Sequence, residues 1–189
     1  MDFSPPNFLK AAVAAFPPDG QVSATRAAKL LLPFVDPNYR RQQSVKVIVR
    51  GKTIHIPRRV HLIGLSEAKR EEEHALLPAV QCLRTRSTDG YERQAALRHI
   101  LPLNEPWSIP FVVLLAGEYV VEIIDDILAS LPTLDPEAYI EFVRENRDTM
   151  RLLRAKATSY WDRYYRTFHP NRSAYPGLAF LHQLEIWAS

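Results

Sequence analysis

At 189 residues, with 47% hydrophobic and 24% charged side chains, the chain has the balance of a globular protein that buries its own core, which excludes a disordered or fibrous polypeptide. Its one cysteine, Cys82, has no intramolecular partner for a disulfide, and six glycines leave little material for phosphate-cradling loops. The net charge of +3 is unevenly spread: residues 37–66 hold seven cations and no Asp or Glu, while residues 144–172 set eight basic side chains against Glu145, Asp148 and Asp162.

Asp2 stands where a signal peptide carries positive charge, and Lys10 interrupts the apolar run behind it, so a reducing, cytoplasmic setting is expected. Fifteen prolines fall between segments of helical periodicity and mark their ends. A first helix is predicted from Pro6 to Phe16, closed by PPDG. A second is predicted from Ser23 as N-cap through ATRAAKLLL to Pro33, the two packing as a helical hairpin.

SVKVIVRGKTIHIP alternates apolar and polar residues and predicts a β-hairpin over residues 45–57. A type II′ turn at Gly51 and Lys52 sets Val49 opposite Ile54 and Val47 opposite Ile56 on one face. Lys46, Arg50, Thr53 and His55 then occupy the other. Helical spacing returns in EAKREEEHALL, and again in AVQCLRTR beyond Pro78, where Cys82 reads as a small core residue. The stretch DGYERQAALRHIL resembles the helical core of a HEAT repeat over 13 residues, with Asp89, Arg93 four on and an Ala-Leu pair behind; no second copy follows at a fixed period.

WSIPFVVLLAGEYVVEIIDDIL, residues 107–128, reads as one helix, apolar all round at its start and carrying an acidic edge of Glu118, Glu122, Asp125 and Asp126 at its end. Gly117 inside it implies a close neighbour. Glu118 and Glu122 also keep this stretch short of the roughly 20 apolar residues that span a bilayer. The last long helix is predicted from the N-cap Asp135, with Pro136 at the first helical position, to about Phe168. Its apolar seam steps by four and three through Tyr139, Val143, Asn146, Met150, Leu153, Ala157, Tyr160 and Tyr164, with Asn146 placed to fix register. The tail, residues 173–189, is too apolar to stay in water and is expected to dock on the body or on another subunit, with Trp161 and Phe168 as anchors.

The expected fold is therefore mainly α: a single helical domain over 1–189, a bundle of about six to eight helices with one small antiparallel hairpin. Three functional readings follow. The preferred one is a non-enzymatic helical interaction or scaffold protein whose partner is a second copy of itself or another protein, joined along Val143, Asn146, Met150, Leu153, Ala157, Tyr160 and Tyr164. The second is nucleic-acid or polyanion binding through Arg40, Arg41, Lys46, Arg50, Lys52, Arg58 and Arg59, because a two-stranded ribbon fits a major groove and cations neutralise phosphates. The third is a metal- or small-molecule-dependent enzyme. It draws on Glu71 and His74, which make the Glu-x-x-His step of carboxylate-bridged metal pairs, together with Glu118 and Glu122. The plainer role of the acidic edge is a solvated face or a partner for Arg147, Arg151 and Arg154. No catalytic residue, cofactor or membrane contact is expected.

Overall fold

Alanine at every third or fourth place sets the first contact of the fold. In the computed structural model, which describes residues 5–36, 43–64 and 77–189, α1 (Pro5–Ala14) and α2 (Gln21–Leu31) pack as an antiparallel pair. Phe8, Ala12, Ala15 and Phe16 are buried on one side and Ala24, Ala27, Ala28 and Leu31 on the other. The second set follows the i, i+3, i+4, i+7 steps of a helix stripe, the first follows i, i+4, i+7, i+8 and runs just past the end of α1, and small side chains let two such stripes approach closely. A 3-10 turn at Pro18–Gly20 leads straight into α2, so Gly20 is the N-cap and the helix starts ahead of Ser23.

The chain is mainly helical with a small hairpin, as the periodicity predicts. Among the described residues there are nine α-helices: two predicted helices are each divided and the tail forms a further one. The chain falls into two compact units, Met1–Ile100 and Leu101–Ser189. No helix among the described residues is long and apolar enough to cross a membrane.

In the first unit, β1 (Ser44–Val49) and β2 (Lys52–Pro57) form the antiparallel ribbon. The turn residues are Arg50 and Gly51, with φ of 48° and 71°. Positive φ at both places marks a type I′ turn, whose twist matches the strands, rather than the expected type II′. Val47 therefore pairs with Ile54 and Val45 with Ile56. This register differs from the expected one by two residues, and a shift of two leaves every side chain on its face. Val47, Val49, Ile54 and Ile56 are buried, and β2 lies against α1.

EAKREEEHALL lies outside the described residues but for Leu77. α3 (Pro78–Arg84) starts with proline at its first position, where the missing N–H leaves no bond unmade. α4 (Gly90–Ile100) is capped by Asp89, whose Oδ1 accepts from Tyr91 N at 2.8 Å. Arg93 reaches back over the same turn and donates to the carbonyls of Ser87 and Thr88, both at 3.0 Å. The Asp and Arg of the HEAT-like stretch thus fix the entry to one helix.

In the second unit the stretch 107–128 is not one helix. α5 (Ile109–Val113) tightens into a 3-10 turn at Leu114–Gly117, Glu118 is extended with φ −103° and ψ 176°, and α6 (Val121–Ala129) begins anew. Gly117 is where Leu153 comes closest: a Cβ there would stand 2.5 Å from Leu153 Cδ2, so the predicted near neighbour is present. The long final helix is also divided. α7 (Pro136–Glu145), capped by Asp135 as predicted, meets α8 (Arg147–Tyr160) at Asn146, which has φ −123° and ψ 37°. Asn146 Nδ2 donates to Phe142 O at 2.8 Å, so the residue expected to set register instead closes one helix and opens the next.

The tail is a helix of the core rather than an appendage. α9 (Pro176–Trp187) buries Leu178, Phe180, Leu181 and Leu184 and touches α6, α7, α8 and the turn at 114–117. Phe168, expected as an anchor, is 78% exposed, whereas Trp161 Nε1 donates to His169 O at 2.7 Å.

Candidate functional site

The alternation that buries the valines and isoleucines of the hairpin turns Lys46 and His55 outward, while Lys52, opposite Val49, shares the parity of the apolar face and is exposed because it lies at the ribbon's end. Lys46 and His55 sit opposite each other on the outer face, Arg50 is at the tip, Lys52 flanks it and Arg58 follows β2 directly. All five are exposed, and residues 43–64 hold no Asp or Glu. Lys52 to Arg58 covers about 20 Å of extended chain at about 3.3 Å per residue. Arg59 is half-buried and its Nη1 donates to Arg58 O at 2.8 Å, so it serves the local backbone first. The nearest acid in sequence, Asp36, is held by His61 Nδ1 at 3.1 Å. Arg40 and Arg41, the other members of the predicted basic set, lie outside the described residues.

A two-stranded ribbon alone is marginal, so what holds this one matters. Its apolar face rests on α1 and its base is pinned from behind by Arg86, which is 3% exposed. Arg86 Nε donates to Pro57 O at 3.2 Å and Nη2 to Arg58 O at 2.9 Å. Val60 N donates to Arg86 O at 2.7 Å and Thr88 N to Val60 O at 3.0 Å, adding a strand-like rung beside the ribbon. Next to this anchor, buried Arg84 pairs with Glu92 through Nε and with Gln81 Oε1 at 2.9 Å through Nη1. None of these arginines was singled out by sequence. LRTRS reads as a polar helix end, and only the third dimension supplies the carboxylate and carbonyls that make its cations structural.

The other predicted sites are placed differently. Tyr139, Val143, Asn146, Met150, Leu153 and Ala157 of the seam are at most 6% exposed, and the chain itself supplies that burial. Past Tyr160 the helix takes one π turn, Trp161–Tyr165. Its wider winding adds a residue and carries Tyr164 off the seam to 54% exposure. Tyr165 turns in instead, stacking on Tyr175 at 5.4 Å and donating its hydroxyl to Tyr119 O.

The four acids do not form one edge. Glu118 is 6% exposed in the break between helices, Glu122 and Asp125 are exposed on α6, and Asp126 is half-buried. Desolvation raises the Asp125 pKa, with Glu122 and Asp126 adding to the shift and His169 opposing it. Of the basic residues expected opposite, Arg151 pairs with Asp148 at 2.6 Å and Arg154 with Glu185. Glu71 and His74 lie outside the described residues, and among the described ones no group of three or more His, Cys, Asp or Glu is placed to hold a metal ion. Cys82 is fully buried, as predicted, and its thiol pKa is pushed up by desolvation.

Comparison of the chain with models of known families, with curated proteins and with solved structures finds no match.

Proposed function

We propose that this protein binds polyanions, a nucleic-acid backbone foremost, through the exposed cations along and at the ends of its β-hairpin. The observation that carries this reading is a set of exposed cations, Lys46, Arg50, Lys52 and Arg58, on a ribbon backed by α1 and Arg86, with no carboxylate in residues 43–64. A second feature supports it. Type I′ turns favour Asn or Asp at the first central position, yet Arg50 occupies it with positive φ at a local cost of about 1 kcal/mol. A strained residue that brings a cation to the most projecting point of a ribbon is the kind of local sacrifice found at binding sites.

The chemistry is charge neutralisation with release of counterions, so salt dependence is the diagnostic. With a fluorescent 20-base-pair duplex, binding at about 50 mM salt is expected to weaken along a log–log slope of about −3 to −4, the value for four phosphate contacts. Reversing Lys46, Arg50, Lys52 and Arg58 to Glu together is expected to abolish binding while leaving the circular dichroism spectrum unchanged, because these side chains lie outside the core. No binding at low salt, or binding that survives the reversal, would sink the proposal.

A further inference from the structure

The second unit contains a pocket of about 300 Å³ that none of the readings above uses, lined by Arg154, Thr158, Arg172, Ser173, Leu178 and His182. We propose that it binds a small organic anion: one phosphate or carboxylate head carried on a compact apolar body.

The lining follows from simple helix geometry. Arg154 and Thr158 are four residues apart on α8, and Leu178 and His182 four apart on α9, so each pair lies on one face of its helix. The two helices pack together, and the 3-10 turn at Arg172–Ala174 adds Arg172 and Ser173. That turn is fixed from within: Asn171 Oδ1 accepts from Ser173 N at 3.0 Å and from Ser173 Oγ at 2.7 Å.

Charge sets the sign of the ligand. Two guanidiniums and an imidazole line the space and no carboxylate does. Glu185 holds Arg154 side-on, accepting from Nε at 3.2 Å and from Nη2, which immobilises the guanidinium and leaves both Nη1 hydrogens outside that pair. Arg154 and Glu185 thereby cancel in charge. Arg172 is exposed, and its guanidinium makes no ion pair or hydrogen bond with the described residues, so it supplies the uncompensated positive charge. An arginine fork suits the paired oxygens of a phosphate or carboxylate.

Size and polarity set the rest. A volume of about 300 Å³ is at the small end of ligand pockets and exceeds what a bare oxyanion fills. Leu178, 5% exposed, offers an apolar wall that inorganic phosphate has no use for. The ligand that satisfies both is a compact organic acid or phosphate ester.

The test is a titration of the full chain followed by amide NMR shifts, with phenyl phosphate, benzoate, inorganic phosphate and benzyl alcohol as probes. Phenyl phosphate or benzoate is expected to shift the amides of Thr158, Ser173, Leu178 and His182 saturably, and the tighter of the two identifies the head as phosphate ester or carboxylate. Inorganic phosphate and benzyl alcohol are each expected to bind at least about tenfold more weakly, lacking the body or the charge. Arg172→Glu, on an exposed turn, is expected to weaken the organic anion by about tenfold or more, while Lys52→Glu in the hairpin leaves it unchanged. The proposal is overturned if neither organic anion shifts these amides up to about 10 mM. It is equally overturned if inorganic phosphate or benzyl alcohol binds as well, or if Arg172→Glu binds as tightly as the parent.

Discussion

Tyr175 shows how far a single residue can depart from what its neighbours in sequence suggest. Read as part of a tail, it is fully buried between Tyr165, stacked at 5.4 Å, and the edge of His169 at 5.7 Å. Its hydroxyl has no hydrogen-bond partner among the described residues, and desolvation raises its pKa, with Tyr165, Asp125 and Tyr160 adding to the shift. A buried donor without a partner costs about 1–3 kcal/mol. Tyr175→Phe is therefore expected to be neutral or stabilising by up to about 2 kcal/mol in urea denaturation near pH 7. The sign of the pH effect follows from linkage. A phenol whose folded pKa lies above its ordinary 10.0 contributes stability that is intact below pH 10 and is lost as pH rises toward the folded value. Each such group tilts stability by about 1.4 kcal/mol per pH unit in that window, so the advantage of Tyr175→Phe should widen between pH 10 and pH 11. A variant less stable than the parent at neutral pH would show that the hydroxyl is satisfied.

Among elements, two close approaches lie at glycines. At the start of α9 a Cβ on Gly177 would stand 2.9 Å from the carbonyl oxygen of Ala116, a backbone atom that cannot rotate away. A Cβ on Gly117 would instead meet the far end of the Leu153 side chain. Gly177→Ala is therefore expected to cost about 1–3 kcal/mol in thermal or urea unfolding and Gly117→Ala distinctly less; the reverse order would mean that the Leu153 packing is the stiffer of the two. Only the second glycine announces itself in sequence, because it interrupts an apolar helix pattern. The faces of the hairpin, the pairing of the first two helices and the Asp135 cap were legible too, each depending on residues close in sequence. The breaks at Gly117–Val120 and Asn146 were not: the four-and-three spacing runs through Asn146 without a missed beat, and a stripe of buried residues looks alike whether one helix or two carry it. The π turn was hidden for the same reason. Its slip moves Tyr164 out and Tyr165 in, and both are tyrosine. The pinning of the ribbon by Arg86 depends on carbonyls 28 and 29 residues away, which no local pattern encodes.

Across the whole chain the net charge of +3 conceals a division that follows the two units. Residues 1–100 hold sixteen basic and nine acidic side chains, leaving +7, and residues 101–189 hold eight and twelve, leaving −4. The polyanion binding proposed for the hairpin would belong wholly to the positive unit, while the pocket proposed for a small anion lies in the negative one, where long-range charge opposes such a ligand and local geometry has to overcome it. The two proposed activities should therefore separate on cutting the chain. Residues 101–189 bury a core of their own around α9, and a fragment of that span is expected to melt cooperatively, to bind no duplex even at low salt, and to keep the affinity of the full chain for phenyl phosphate or benzoate. Circular dichroism on heating checks the first of these, and the two titrations check the others. A fragment that binds duplex as the whole chain does would move the polyanion site off the hairpin. One that melts without cooperativity would show that the second unit depends on the first for its fold.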